Sequence, residues 1–210
     1  MPTTAASSTL SVPAADGNRP STRCRLLDAA ESLLLARDID EVSIRAINAA
    51  AGMNPAAVHY HFGSKDALIG ALLERRLAPL WHDGLTRLTT RHRAGDTPTV
   101  GELVDVVLTP LGELTRTEHG RLQLRLLARV VLARRDVGFT SGWFGLRPWA
   151  ALLRGAVPGL GGADAEHRLR LAFDLVLHTL SAPGPAEPPT RDDFRSLRAF
   201  TVAGLSAPQR

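Results

Sequence analysis

The stretch INAAAGMNPAAVHYHFGSKDAL, residues 47–68, decides the fold of this chain. It follows Ser43, which can cap a short helix, and it contains Gly52 where a helix end needs a residue with positive φ. Asn54 and Pro55 then provide an N-cap residue followed by proline at the first helical position. The pattern predicts two short helices joined by a tight turn, which is a helix-turn-helix candidate.

The second helix, predicted over residues 55–62, has an outward face that is unusual for a solvated surface. Val58 and Phe62 stand four residues apart, so they point the same way and anchor the helix inward. The opposite side is predicted to hold Ala56, Ala57 and Tyr60, with His59 and His61 on its flanks. Small residues permit close approach and methyl contact with thymine, while tyrosine and histidine donate hydrogen bonds to phosphates. This side is therefore predicted to enter a groove of DNA.

The lysine and the two histidines of this stretch have more than one interpretation. Lys65, the only lysine of the chain, stands beside a helix start capped by Ser64 and is placed to hold a phosphate. His59 and His61 could be metal ligands, but residues two apart on a helix diverge by about 200° and no third ligand has suitable spacing. His61 could also be a core histidine, because it lies nearer the inward side.

The composition agrees with one large or two small globular domains. The 210 residues are 44% apolar and 22% charged, and the formal charge of +4 comes almost entirely from arginine. That basic excess alone only weakly indicates a polyanionic partner. Residues 1–20 predict a disordered tail, no segment has the length and apolarity of a membrane span, and the single Cys24 fits a reducing compartment. A cytoplasmic protein is predicted.

Helical periodicity continues through the rest of the chain. No segment alternates with period two, so the predicted fold class is all-α. Pro79 is expected to kink or divide the long segment that contains it. Helical segments are expected over residues 22–37, 44–52, 55–62, 65–93, 99–115, 120–135, 142–157, 163–182 and 190–205.

Residues 22–72 resemble the DNA-binding domain of the TetR/AcrR family of transcriptional regulators, most specifically in YHFGSKDAL, residues 60–68. The remainder matches only in helix count and order. The resemblance implies an N-terminal three-helix helix-turn-helix DNA-binding domain at residues 21–68 and a larger helical ligand-binding and dimerisation domain at 69–210. It implies DNA contacts from Thr22, Ser43, Arg45, Asn54, Ala56, Ala57, His59, Tyr60, His61 and Lys65. Because the family often has larger polar residues at the two alanine positions, Arg45 and DNA shape are expected to supply more of the specificity.

The C-terminal helices offer a surface for a second copy. One recognition helix contacts few base pairs, so such proteins usually dimerise and read a palindrome. Residues 167–180 are apolar on two faces, which predicts cover from the protein's own core and from a partner. The alternative is a central core helix in a monomer. The predicted dimer interface contains Trp143, Leu152, Leu169, Phe173, Val176 and Leu180.

The resemblance also implies a mainly apolar small-molecule pocket within residues 77–157. Arg121, Arg125 and Arg129 form a ridge on one helix, which either is solvated and pairs with acids such as Glu118 or brings one arginine to a ligand carboxylate or phosphate. The predicted lining residues are Trp81, Leu85, Leu103, Val107, Leu111, Leu122, Arg125, Leu126, Phe144 and Trp149.

Together these patterns predict a ligand-responsive homodimeric repressor that binds a palindromic operator in double-stranded DNA and is released by a small apolar effector. The segments HTLSAP and AFTVAGLSAP are similar to a branch of the family that responds to fatty acids or acyl-CoA. The alternative is a helical protein that binds an acyl-type ligand without DNA-binding activity. No nucleophile–base arrangement or glycine-rich phosphate loop favours an enzyme, and no cofactor or metal is predicted.

Overall fold

The computed structural model describes residues 20–181 and 189–208, without the side chain of Trp143. All regular elements in these ranges are helical, which confirms the all-α prediction, and none of the helices is long and apolar enough to cross a membrane. The predicted tail, apart from Pro20, lies outside the described residues. The helices are α1 Thr22–Ala36, α2 Ile44–Ala50, α3 Ala57–Phe62, α4 Lys65–Arg93, α5 Val100–Leu114, α6 Glu118–Leu132, a 3-10 turn Gly142–Phe144, α7 Leu146–Ala156, α8 Gly162–Leu180 and α9 Arg191–Ser206.

Side-chain caps and one glycine define the ends of the first helices. The hydroxyl of Ser21 accepts a hydrogen bond from the N–H of Cys24, and the hydroxyl of Ser43 accepts one from Ala46 at 3.1 Å. Gly52 has a φ of 64°, so the predicted helix end is confirmed, because glycine adopts this conformation without steric cost. The apolar sides of the helices meet in a core that contains Leu26, Leu27, Ala30, Leu34, Ile47 and Val58.

Helix α4 runs from the helix-turn-helix unit into the larger unit. It crosses the predicted domain boundary after residue 68, and it is a single helix although Pro79 lies inside it. The proline removes one backbone hydrogen bond but does not end the helix, because apolar contacts hold the turns on both sides. Leu72 and Leu85 are among the side chains buried along its length.

Helices α5, α6 and α7 pack against α4. Helix α7 packs against α8, and α5 packs against α9. Helix α5 begins with a capping box in which Thr99 and Glu102 satisfy each other's backbone N–H groups.

Residues 133–145, which we call the α6–α7 segment, link α6 to α7, include the 3-10 turn and contact the first half of α4. Its Thr140 and Ser141 N–H groups donate to the carboxylate of Glu74 at 2.5 and 2.6 Å. A Cβ added at Gly70 would collide with the carbonyl oxygen of Val137. The segment therefore packs closely on α4 between the two units.

Candidate nucleic-acid interface

A buried asparagine fixes the angle between α2 and α3. Asn48 is 1% exposed, its Nδ2 donates to the carbonyl oxygen of Pro55 at 2.6 Å, and its Oδ1 accepts from the N–H of Val58 at 3.1 Å. The second bond satisfies the buried N–H of Val58 at the start of α3, and the first ties the part-buried carbonyl of Pro55 to α2. The predicted site did not include Asn48, although its place four residues after Ile44, on the inward side of α2, was the available signal.

Helix α3 begins at Ala57, two residues later than predicted. Asn54 does not cap the helix: its Oδ1 accepts from the N–H of Ala56 at 3.0 Å, within the turn that precedes α3. Pro55 belongs to the same turn. The side chains of both residues are exposed at the entrance to the helix.

The exposed side of α3 consists of Ala56, His59 and Tyr60, which we call the reading face. The side chain of Tyr60 is 84% exposed. The Nδ1 atom of His59 lies 3.1 Å from the carbonyl oxygen of Gly63, and the ring of Tyr60 meets the ring of His61 edge to face at 5.0 Å between centroids. The reading face thus has one small residue beside two rings with polar atoms, a pattern suited to contact with phosphates and base edges.

The predicted outward orientation of Ala57 is wrong. Ala57 is only 7% exposed, while His61 and Phe62 are half-buried. At about 100° per residue, Ala57 and His61 lie on the same side of the helix, next to Val58. The buried side of α3 therefore includes Ala57 and part of His61 in addition to Val58 and Phe62.

Helix α2 presents an exposed arginine next to α3. Arg45 lies in the first turn of α2 and makes no hydrogen bond or ion pair with the described part of the chain. Its guanidinium is therefore available for a base edge or a phosphate. Ser43 is exposed but uses its hydroxyl for the cap, and Thr22 is half-buried in the first turn of α1.

Lys65 has a structural partner. Its Nζ donates to the carbonyl oxygen of Ile39, so this half-buried side chain ties the start of α4 to the connection between α1 and α2. A contact with phosphate requires the lysine to share or leave this bond.

Two arginines of α1, which the predicted site did not include, also support the motif. Arg23 donates to the carbonyl oxygen of His61 at 2.9 Å and stacks over the ring of Phe62 at 4.2 Å. Arg25 donates to the carbonyl oxygen of Ala51 at 2.8 Å. Neither His59 nor His61 belongs to a group of three or more ligand-type side chains able to hold a metal within the described residues.

The helix-turn-helix also matches a known family in sequence. Residues 26–72 match the family described as bacterial regulatory proteins, tetR family. This similarity covers most of α1, all of α2 and α3, and the start of α4.

Solved structures of a repressor and of two TetR-type regulators share the fold over most of this chain. NalD of Pseudomonas aeruginosa, described as the secondary repressor of the MexAB-OprM multidrug efflux pump, is 22% identical, with 90% of this chain and 98% of NalD covered and a TM-score of 0.59. A putative TetR-family regulator from Mesorhizobium loti MAFF303099 is 17% identical, with 89% and 94% covered and a TM-score of 0.51. A TetR regulator from Rhodococcus sp. RHA1 is 15% identical, with 89% and 96% covered and a TM-score of 0.52. No curated protein matches the chain in sequence.

The larger helical part of the chain contains an apolar cavity of about 100 Å³. It lies between α4, α5, α6, α7, α8 and α9, and the α6–α7 segment contributes Phe139 and Phe144, whose rings stack at 4.4 Å between centroids. Phe144 also meets the ring of Trp81 at 5.5 Å. Five predicted pocket residues line the cavity: Trp81, Leu103, Val107, Phe144 and Trp149.

The other five predicted pocket residues do not line this cavity. Leu85 and Leu111 are fully buried in the core. Leu122, Arg125 and Leu126 face a surface groove between the end of α1 and α6. Helical spacing alone could not separate these positions, because a helix packed on two sides carries apolar residues toward both neighbours.

The predicted dimer residues pack inside a single chain. Leu169, Phe173 and Val176 line the cavity, and Leu152 and Leu180 are buried in the core. The side chain of Trp143 lies outside what the structure describes. The other apolar face of α8 carries Leu171 and Leu175 and points outward instead: Leu171 is exposed and Leu175 is half-buried.

The arginine ridge of α6 points away from the cavity. Arg129 pairs with Asp38 at 3.0 Å and also with Asp40, so it joins α6 to the connection between α1 and α2. The backbone N–H of Asp40 and the guanidinium of Arg129 hold the pKa of the Asp38 carboxyl below its usual range. Arg121 donates to the carbonyl oxygen of Thr115 at 3.2 Å, not to Glu118, and Arg125 is exposed.

Proposed function

We propose that this chain is a homodimeric repressor that binds a palindromic operator through the reading face and leaves it when a small apolar effector fills the cavity. The observation that carries the proposal is the exposure of Ala56, His59 and Tyr60 on a helix held by the buried Asn48. A polar, ring-bearing face on a rigidly positioned short helix suits insertion into the major groove.

Arg45 extends this proposed interface onto α2. It is exposed, and no described residue competes for its guanidinium. Arginine can bind guanine in two hydrogen bonds or hold a phosphate, so it is the residue from which we expect most of the base discrimination. We propose weaker DNA contacts from Thr22, Ser43, Asn54 and His61. Lys65 can bind a phosphate only when its hydrogen bond to the carbonyl oxygen of Ile39 is shared or broken.

The repressor assignment extends to this chain the role described for NalD, with which it shares the fold. Effector release is proposed to act through α4, which reaches from the cavity residue Trp81 to residues packed beneath the helix-turn-helix. The Arg129 pairs with Asp38 and Asp40 form a second connection between the two units. An effector that binds better to another spacing of the two recognition helices would shift the population away from DNA.

Second copies are proposed to meet on the outward faces of α8 and α9. Leu171 and Phe200 are exposed there, and Ala199 and Ala203 provide small exposed residues on α9 that allow close approach of a partner helix. An exposed apolar face of this kind is typical of an interface between subunits.

A mobility-shift titration tests the DNA-binding part of the proposal, with the DNA upstream of the chain's own coding sequence as probe. We expect a specific, salt-sensitive complex that Arg45→Ala weakens by about 1 to 3 kcal/mol. Arg87→Ala is the matched control, because Arg87 is exposed on α4, away from the reading face. Equal loss in both variants, or no specific complex, would contradict the proposal and favour the ligand-binding alternative without DNA binding.

A further inference from the structure

One residue of the cavity lining carries a buried polar group whose bonding is incomplete. Trp81 lines the cavity and is only 3% exposed, and its Nε1–H is buried without an acceptor in the described part of the chain. A buried donor without an acceptor costs free energy, so it marks a place where a ligand atom is expected.

The other polar side chains of the lining are already occupied. The hydroxyl of Thr201 donates to the carbonyl oxygen of Leu197 at 2.7 Å, and Trp149 has an interaction of its own. The rest of the lining is glycine, aliphatic and aromatic. A water molecule at the indole would lack the two to four polar partners that ordered buried waters need.

The lining also has no charged side chain among the described residues. A carboxylate or phosphate placed there would lose its hydration without a cation to replace it, which is far more costly than burial of a neutral polar group. The arginines of the α6 ridge cannot supply that cation, because Arg125 faces the groove on the other side of α6 and Arg129 is paired.

We infer that the effector is uncharged, largely apolar and compact, and that it carries a hydrogen-bond acceptor oxygen which accepts from the Trp81 indole N–H. This inference rests on the proposed effector role of the cavity and adds the chemistry that selects the ligand. The volume of about 100 Å³ is below the roughly 150 Å³ of an engineered cavity that binds benzene, so it limits the enclosed part of the ligand to one ring at most. An anionic head group, as in a fatty acid or acyl-CoA, does not fit this lining.

Calorimetric titration of the full chain with three probes tests the inference. Acetophenone supplies a carbonyl acceptor, α-methylstyrene has nearly the same shape without it, and benzoate supplies a charge. We expect the preference for acetophenone over α-methylstyrene to fall by about three- to tenfold in Trp81→Phe, because this variant keeps an aromatic ring and loses the donor. In the natural chain, benzoate should bind at least tenfold more weakly than acetophenone.

Phe144→Leu is the control, because Phe144 lines the same cavity and carries no donor. This variant should change both neutral affinities together and keep the preference. In NMR spectra of the protein labelled with ¹⁵N-tryptophan, the indole resonance of Trp81 is the one that is missing in Trp81→Phe. Acetophenone should shift this resonance downfield.

Three results would overturn the inference. A preference that changes less than twofold in Trp81→Phe would show that the indole does not select the ligand, although the cavity would remain a binding site. Benzoate binding as tight as acetophenone would refute the uncharged class. If no probe binds, both this inference and the effector role of the cavity fail, whereas the Arg45→Ala mobility shift still decides DNA binding independently.

Discussion

At the scale of single residues, the position of the reading face depends on Asn48. Its amide bridges the turn to Pro55 and Val58, while the exposed Asn54 makes one hydrogen bond to Ala56. We expect Asn48→Ala to lower the free energy of unfolding by about 1 to 3 kcal/mol, because the buried N–H of Val58 and the part-buried carbonyl of Pro55 lose their partner. Urea denaturation checks this value. Asn54→Ala is the matched control with an expected loss below about 1 kcal/mol, and equal losses would show that Asn48 has no special role.

The pH dependence of stability should report the Glu102 carboxylate. The guanidinium of Arg91 and the backbone N–H of Thr99 lower the pKa of Glu102 from its usual 4.5 to about 2. Because the folded pKa is the lower one, this group stabilises the protein above pH 4.5, and the contribution disappears as the pH falls from 4.5 to about 2.

Replacement of Glu102 by Gln should therefore lower the free energy of unfolding at neutral pH and flatten its decline between pH 4.5 and about 2. Urea denaturation at a series of pH values measures both effects. Glu113→Gln removes an exposed carboxylate from the same helix and serves as control. If the stability of Glu102→Gln fell between pH 4.5 and about 2 as steeply as that of the natural chain, the role assigned to the Glu102 carboxylate would be contradicted.

At the scale of elements, the caps of the short helices followed from local sequence. Ser43, Gly52 and Ser64 act through neighbouring backbone groups, so their roles can be predicted from a few residues. The burial of Ala57 could not be predicted in the same way, since it depends on how α3 packs against α4 and on the later start of the helix. Local signals define helix ends, whereas long-range packing defines the width of a buried side.

The α6–α7 segment is the element whose contacts the sequence did not indicate. Gly70 in α4 lies against the Val137 backbone of this segment, with no room for a methyl group. We expect Gly70→Ala to destabilise the protein by about 1 to 3 kcal/mol in thermal unfolding, because the segment must move off α4. Gly162→Ala at the start of α8 meets open space and should be nearly neutral. A neutral Gly70→Ala would mean that the segment does not pack on α4 in solution.

At the scale of the whole molecule, long-range packing decided which side of each large helix became cavity, core or surface. The two apolar stripes of α8 were visible in the sequence, but the assignment of the sides was reversed: Leu169 and Phe173 line the cavity, and Leu171 is outside. A stripe that faces the protein's own core and one that faces a partner have the same periodicity. Only the packing of α8 against α6, α7 and α9 distinguishes them.

The outward stripe gives a prediction for assembly. Phe200, 68% exposed on α9, and Leu171 on α8 are proposed to be covered by a second copy. Sedimentation at micromolar concentration should show a dimer, and Leu171→Glu with Phe200→Glu should yield a folded monomer, because charges would be buried without partners. Leu80→Glu on the exposed side of α4 is the control and should leave the dimer intact. A natural chain that sediments as a monomer would remove the proposed interface.

The central claim is that the reading face of α3 enters duplex DNA, and the single tyrosine of the chain allows a direct measurement. Incorporation of 3-fluorotyrosine places one ¹⁹F resonance at Tyr60, which can be followed while a duplex from the upstream region is added. We expect this resonance to shift and to saturate at the stoichiometry of the complex, and to stay in place with a duplex of scrambled sequence. If fluorescence anisotropy shows that the complex forms while the Tyr60 resonance does not shift, the claim that the reading face enters DNA is contradicted.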